Sequence, residues 1–220
     1  MAKKTMVLAA SVAALIVFAA MPALASAAPT IDPSTGKFPF AFTGTSKTTV
    51  LRAKNLPNVT CKKDANTGSF TNGSTGTVEI TFSECTESIF GSSCTTAGQP
   101  TGTITTASSE FHLVYLNKAH TTVGILITGP AGGFATFDCA TFFHINVAGS
   151  VLGHVSSPGC GGTSANFTVG FTAVGTSQTF KQVEEGGTVF NLNANGNEAS
   201  IEGSEAGTFS GGATGTLTCI

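Results

Sequence analysis

The stretch FATFDCATFFHINVAGSVLGHV, Phe134 to Val155, decides the fold class. It is dense in Phe, Val, Ile and Thr, whose aromatic and β-branched side chains suit a pleated, half-buried surface. It reads as two long strands near the middle of an all-β domain. It also carries Cys139 and two of the four histidines, His144 and His154.

The pattern continues on both sides. Toward the N-terminus, TVGILIT (122–128) and EFHLVYL (110–116) flank the polar turn Asn117-Lys118-Ala119-His120. In GTVEITF (76–82), Val78, Ile80 and Phe82 face one way, and Thr77, Glu79, Thr81 and Ser83 the other, which is the alternation of a strand with one wet face. Asn72-Gly73 joins it to Thr67–Phe70 as a hairpin, because both turn residues tolerate positive φ. Phe40–Thr43, Thr48–Leu51, Asn58–Cys61 and Gly102–Thr106 are shorter strands. Toward the C-terminus, Asn166–Thr172 alternates well. Phe180, Val183, Val189, Phe190 and Leu192 mark short strands around Glu184-Glu185-Gly186-Gly187, and the tail from Glu198 to Cys219 is Gly-rich with alternating apolar residues. The tetrad Thr-Gly-Thr-(Val/Ile/Leu) recurs at Thr75, Thr101 and Thr214, at spacings too irregular for a repeat architecture. Many short strands at a spacing of roughly 8–12 residues, punctuated by turn signals, point to an all-β antiparallel sandwich or barrel. The choice between the two stays open. So does a split of residues 28–220 into two small β domains near Gly129–Gly133 or near Ser156–Gly162.

Composition narrows the function. Charged residues make up 10% of the 220, Trp is absent and Tyr115 is the one tyrosine. Surface polarity must therefore come from hydroxyls and amides, as in an extracellular β protein. No basic stripe is present to meet phosphates, which argues against nucleic-acid binding. Beyond His120 the one basic residue, Lys181, stands against Asp138, Glu184, Glu185, Glu198, Glu202 and Glu205. This acidic half serves solubility; a divalent-cation site would need several of these oxygens to converge.

Residues 1–27 have the layout of a cleaved secretory signal peptide. Lys3 and Lys4 precede an apolar run from Met6 to Ala20, Pro22 ends it, and Ala25-Ser26-Ala27 offers small residues for cleavage after Ala27 or after Ala25. The apolar run falls short of the ~20 residues of a spanning helix, and no later stretch is long and apolar enough to cross a membrane. The expected location is secreted, extracellular or cell-wall associated. In an oxidising compartment the even set Cys61, Cys85, Cys94, Cys139, Cys160 and Cys219 implies disulfides. Connectivity stays open, with a local Cys85–Cys94 bridge across a short polar loop favoured.

No catalytic, cofactor or metal residue can be named. The histidines form neither HxH nor HExxH. Gly149-Ser150-Val151-Leu152-Gly153 resembles a nucleophile elbow loosely but lies within a strand-like run. Adjacent Glu184 and Glu185 point to opposite faces of a strand, and Glu202 and Glu205 are also of opposite parity, so neither pair makes a glycosidase dyad. Gly186-Gly187 lacks the Lys-Ser/Thr of a phosphate loop. Most Phe occupy alternating strand positions and belong to the core.

Gly76–Cys85, Gly102–Thr106, Phe137–Cys139, Gly149–Gly153 and Glu185–Gly187 resemble segments of uncharacterised exported Gly/Thr-rich actinobacterial β proteins. The resemblance implies no activity and no cofactor. Cys61, Cys85, Cys94 and Cys139 look like that group's usual cysteines, and Cys160 and Cys219 like additions. Two cysteines added together imply a Cys160–Cys219 bridge, which leaves Cys61 with Cys139 beside Cys85–Cys94. The resulting expectation is an exported, disulfide-stapled β protein with a non-catalytic structural or binding role. Its partner would be a cell-envelope component or another exported protein. The alternatives are a secreted hydrolase whose site forms only in three dimensions, and a cation-stabilised adhesin.

Overall fold

The computed structural model describes residues 28–184 and 187–220. The signal-peptide reading of residues 1–27, and Glu185-Gly186 of the Glu-Glu-Gly-Gly turn, lie outside them.

The chain runs up and down around one axis. A short lead-in strand β1 (Thr30–Pro33) is followed by eight staves, several of which are two strands in line. They are β2 (Phe40–Ser46) with β3 (Thr49–Ala53); β4 (Val59–Cys61) with β5 (Lys63–Phe70); β6 (Thr75–Ser83) with β7 (Thr86–Glu87); and β8 (Cys94–Thr95) with β9 (Ile104–Thr105) and β10 (Ser109–Tyr115). Next come β11 (Val123–Thr128) with β12 (Ala135–Cys139), and the unbroken β13 (Phe143–Ser157). After the two-residue β14 (Thr163–Ser164), the seventh stave is β15 (Asn166–Phe171), interrupted by the small hairpin β16 (Ala173–Val174) and β17 (Ser177–Gln178), then β18 (Leu192–Ala194). The eighth is β19 (Asn197–Phe209), and β20 (Gly215–Thr218) ends the chain.

Every pairing is antiparallel. The ladder β2–β5–β6–β10–β11–β13–β15–β19 returns to β2, so eight strands close a barrel. The sandwich option is thereby set aside. The two longest strands carry the wall upward: β13 exchanges β11 and β15 for β12 and β18, and β19 exchanges β2 and β15 for β3 and β18. The Phe134–Val155 stretch does hold two strands, and β13 is the longer of them. β11 and β12, on either side of Gly129–Gly133, both pair with β13, and β13 and β15, which bracket Ser156–Gly162, pair with each other.

Alternation explains the wall. In β2, Phe40, Phe42 and Ser46 are buried while Ala41, Thr43 and Thr45 are exposed; in β6, Thr77 and Glu79 are exposed while Val78 is buried. The outward positions of these two strands are thus wet. Among the described residues no helix is long and apolar enough to cross a membrane. One outer region is dry. Val114, Leu116, Leu126 and Leu152 point outward and are covered by Phe180, Val183 and Phe190 from the excursion between β15 and β18. That cover is why the runs around them are apolar at consecutive positions. The Asn72-Gly73 hairpin is present, with a difference: neither residue has positive φ. The loop is longer than a two-residue turn, and the Asn72 side-chain oxygen accepts the N–H groups of Ser74 and Thr75, both at 2.9 Å.

The ends are closed differently. Below, β1, β20 and β14 form a small capping sheet in which Ile31 and Leu217 pair and are both buried. Cys160–Cys219 ties this cap to the chain leaving β13, the bridge that the resemblance implied. Above, the remaining bridges are Cys61–Cys85 and Cys94–Cys139, which corrects both the Cys85–Cys94 and the Cys61–Cys139 expectations. The reason is geometric. The four cysteines sit on four successive staves, and Cys85 and Cys94 are already joined by a backbone hydrogen bond of 2.9 Å. A Cys85–Cys94 bridge would strand Cys61 and Cys139 three strand spacings apart, about 14 Å, twice the ~7 Å over which two Cα atoms can be bridged.

Candidate functional site

The barrel interior is not uniform. Its lower half is packed with Phe40, Phe42, Phe70, Phe111, Phe167 and Phe209, whose rings meet at centroid distances between 4.5 and 6.5 Å. At mid-height the aromatic filling gives way to a polar cluster. Register places it: Ser46 on β2 is opposite Asp64 on β5 and opposite Glu205 on β19. Three neighbouring strands therefore point Asp64, Ser46 and Glu205 inward on one level. One level lower Gly44 is opposite both Asn66 and Gly207. A Cβ at Gly44 would stand 2.7 Å from the Asn66 amide, so glycine there makes room for that side chain.

Asp64 collects donors. Ser46 N–H donates to Oδ1 at 3.1 Å, and the hydroxyls of Ser46 and Thr49 donate to Oδ2, the latter at 3.3 Å. Asp64 thus has the acceptor-only surroundings of a carboxylate. Glu205 is hydrogen-bonded to Asp64 and accepts Asn66 Nδ2–H at 2.6 Å on Oε2. Two carboxyls in direct contact away from water need a proton between them. Burial first, and the Asp64 carboxyl second, push Glu205 up to about 9, against the opposing pull of the Asn66 amide. Glu205 is accordingly the protonated partner at neutral pH. Asn66 Oδ1 is buried and has no hydrogen-bond donor, and Asn66 is 6% exposed.

Two apolar cavities flank this cluster, and Glu205 lines both. The upper measures about 100 Å³ and is walled by Leu51, Val59, Phe82, Ile104, Phe137 and Leu192. The lower measures about 70 Å³ and runs from Asn66, Phe42 and Phe70 to Ile31 and Leu217 of the cap. Ile80, Ile127 and Phe171 also line both. No Lys, Arg or His lines either. Inward-facing Leu51, Ile80, Phe82, Ile125 and Ile201 are packed against the core yet only partly buried, because part of their surface faces the cavities. Eight-stranded barrels have interiors just wide enough for side chains to fill or for one small ligand; this one is filled below and left open at its centre.

The residues weighed from sequence lie elsewhere. His144 is exposed and bonded to Asp138 at 2.7 Å, whereas His154 is near the Phe180 ring. His120 stacks on Tyr115 and reaches Glu184 at 3.2 Å. Ser150 sits inside β13 against the Thr128 hydroxyl at 3.0 Å, not on an elbow. The C-terminal acidic residues do not converge: Glu198 pairs with Lys181, Glu202 with Arg52, and Glu205 points inward. Among the described residues no group of three or more His, Cys, Asp or Glu is placed to hold a metal ion.

The upper rim carries a second feature. Glu87, buried at the end of β7, accepts the N–H groups of Ile89, Phe90 and Ser92 at 2.5, 2.9 and 2.9 Å. Burial pushes its carboxyl up, but the N–H groups of Ser92, Ile89 and Phe90 outweigh that and hold it below the usual carboxylate range. The loop so fixed presents Ile89 and Phe90, with Phe142 from the β12–β13 turn beside them; Phe90 and Phe142 are 68% and 74% exposed, with ring centroids 6.1 Å apart.

Comparison with family models, with curated proteins and with solved structures finds no match for this chain.

Proposed function

We propose that residues 28–220 form the mature, exported protein and act as a non-catalytic binding barrel that takes a small apolar molecule into its lumen. The observation that carries the reading is the pair of apolar cavities at the centre of an otherwise packed barrel, with Glu205 between them. An unfilled apolar interior forfeits packing energy, and an apolar ligand restores it. Three disulfides fit a working place in an oxidising compartment. The carboxyl pair gives the hydrolase alternative its strongest residues. Asp64 and Glu205 are, however, in direct hydrogen-bonding contact, closer than the ~5–9.5 Å separation of glycosidase carboxyls. The lumen walls are apolar, with little to position a water.

The test is titration with toluene, followed by methyl NMR of Ile80 and Ile127, which line both cavities. Saturable shifts at these two residues, with outward methyls unmoved, support the reading. A linear, non-saturating response up to the solubility limit overturns it.

The rim favours a second reading, a contact with the cell envelope. Ile89, Phe90 and Phe142 form an exposed apolar tip on a loop held rigid by Glu87 and by the neighbouring disulfides. Replacing Phe90 and Phe142 by Ser should release the mature chain from the wall fraction without altering its thermal stability. Unchanged wall retention removes this reading.

A further inference from the structure

Resting on the lumen-binding reading, we propose that the ligand is a small apolar amine, its nitrogen held between Asn66 Oδ1 and Glu205 with Asp64 behind them. The cluster is short of donors on the cavity side. Asn66 Oδ1 is a buried acceptor with no partner, and leaving such a group unpaired costs about 1–3 kcal/mol. Asn66 lines the lower cavity and Glu205 lines both, so an occupant of the lumen lies beside these two side chains. The Asp64–Glu205 pair shares one proton and so carries one negative charge, and no Lys, Arg or His lines the cavities; a buried carboxylate favours a cation. The missing group is therefore a donor, and a positively charged donor fits best.

An ammonium meets this need with three donors. The proton balance is simple. An aliphatic amine is protonated in water and enters as the ammonium, while Glu205 and Asp64 keep the proton they share. The ammonium donates to Glu205 and to Asn66 Oδ1, and its positive charge meets the single negative charge of the pair. No bond to hydrogen is made or broken, so binding exchanges no proton with the buffer. Size is bounded by the cavities: an apolar space of ~150 Å³ holds a benzene, and the two lobes measure about 100 and 70 Å³, so a short alkyl chain on the nitrogen fits one lobe and a ring has to span both.

The experiment compares benzylamine, benzyl alcohol, toluene and benzoate on the wild-type protein at one pH, by calorimetry and by the Ile80 and Ile127 methyl shifts. Benzylamine is expected to bind at least ten-fold more tightly than toluene. Its heat, measured in two buffers of different ionisation enthalpy, is expected to be the same in both, which reports no proton exchanged. Asp64→Asn should bring benzylamine down to the affinity of toluene; if that variant does not fold, the wild-type series and the proton count still decide. Toluene binding as well as benzylamine overturns the amine inference and leaves the lumen-binding reading standing. Benzyl alcohol equal to benzylamine, or one proton released per ligand, overturns the charged nitrogen. Benzoate binding best overturns the assignment of Asn66 Oδ1 as the free acceptor. No binding by any of the four overturns both readings.

Discussion

Asn66 and Glu205 lie 139 residues apart in sequence and meet at 2.6 Å, the Asn66 amide donating to a carboxyl that is kept protonated far above its ordinary range. Burial and the Asp64 carboxyl move Glu205 from an ordinary 4.5 to about 9. The sign of the stability effect follows. Between these two values the folded chain keeps a proton that the unfolded chain has lost, so this group's contribution is complete below about pH 4.5 and is lost as pH rises toward 9. At roughly 1.4 kcal/mol per unit, the loss by pH 7 is about 3 kcal/mol. Glu205→Gln retains an N–H donor toward Asp64 and has nothing to titrate. It should be more stable than the wild type at pH 8 and lack the wild-type decline between pH 5 and pH 9. Urea unfolding at pH 5, 7 and 9 checks this; parallel profiles for the two proteins would refute it. Glu84, Glu87 and Glu198 are shifted downward, so their contributions fade only as pH falls below about 4.5 and do not mask the window.

Filling the lumen should abolish uptake and spare the fold. Ile80 lines both cavities and is only partly buried. Ile80→Phe adds volume where space exists, so its stability should stay within about 1.5 kcal/mol of wild type. Toluene affinity should fall at least ten-fold by the same NMR titration. Full affinity in a folded Ile80→Phe protein would place the ligand outside the lumen.

The upper rim yields a covalent prediction. Peptide mapping under non-reducing conditions should recover Cys61–Cys85, Cys94–Cys139 and Cys160–Cys219, and no Cys85–Cys94 peptide. A Cys85–Cys94 linkage in folded protein would contradict the order of the four staves that carry these cysteines.

The strand pattern was legible because alternation is a local property. GTVEITF at 76–82 and FAFTGTS at 40–46 declare their faces without help from the rest of the chain. Closure into a barrel was not legible. It depends on β2 finding β19, a pairing across more than 150 residues that no local pattern encodes. The central site was hidden for the same reason, although part of its signal was present. Ser46 has the parity of Phe40 and Phe42, Asp64 and Asn66 that of Phe70, and Glu205 that of Phe209. Counting in twos from each inward Phe, forward to Ser46 and back to the others, marks these polar residues as interior. Comparing Glu202 with Glu205 alone compared an outward carboxylate with an inward one. The disulfide map failed at the rim because a short loop between Cys85 and Cys94 looks favourable until the neighbours of Cys61 and Cys139 are known.

The cap should govern ligand exchange. Ile31 and Leu217, paired across β1 and β20, line the lower cavity, and Pro158 of the loop leaving β13 lines it too. Cys160–Cys219 joins that loop to the end of β20 across 59 residues. Hydrogen bonds of 2.7 and 2.9 Å link Gly161 and Gly162 to Leu217 beside it. Replacing both cysteines by Ser removes the covalent link and leaves those bonds. A loop of this length gives a disulfide contribution of roughly 4 kcal/mol in the chain-entropy estimate, so the variant should unfold at lower urea concentration. With the cap held only by β-ladder bonds, opening of the lower end becomes easier while the lumen itself is untouched. Toluene dissociation, read from NMR exchange, should therefore accelerate by more than the equilibrium affinity falls. Equal exchange rates in the variant and the wild type would move the entrance to the upper rim, between the Glu87 loop and the β12–β13 turn.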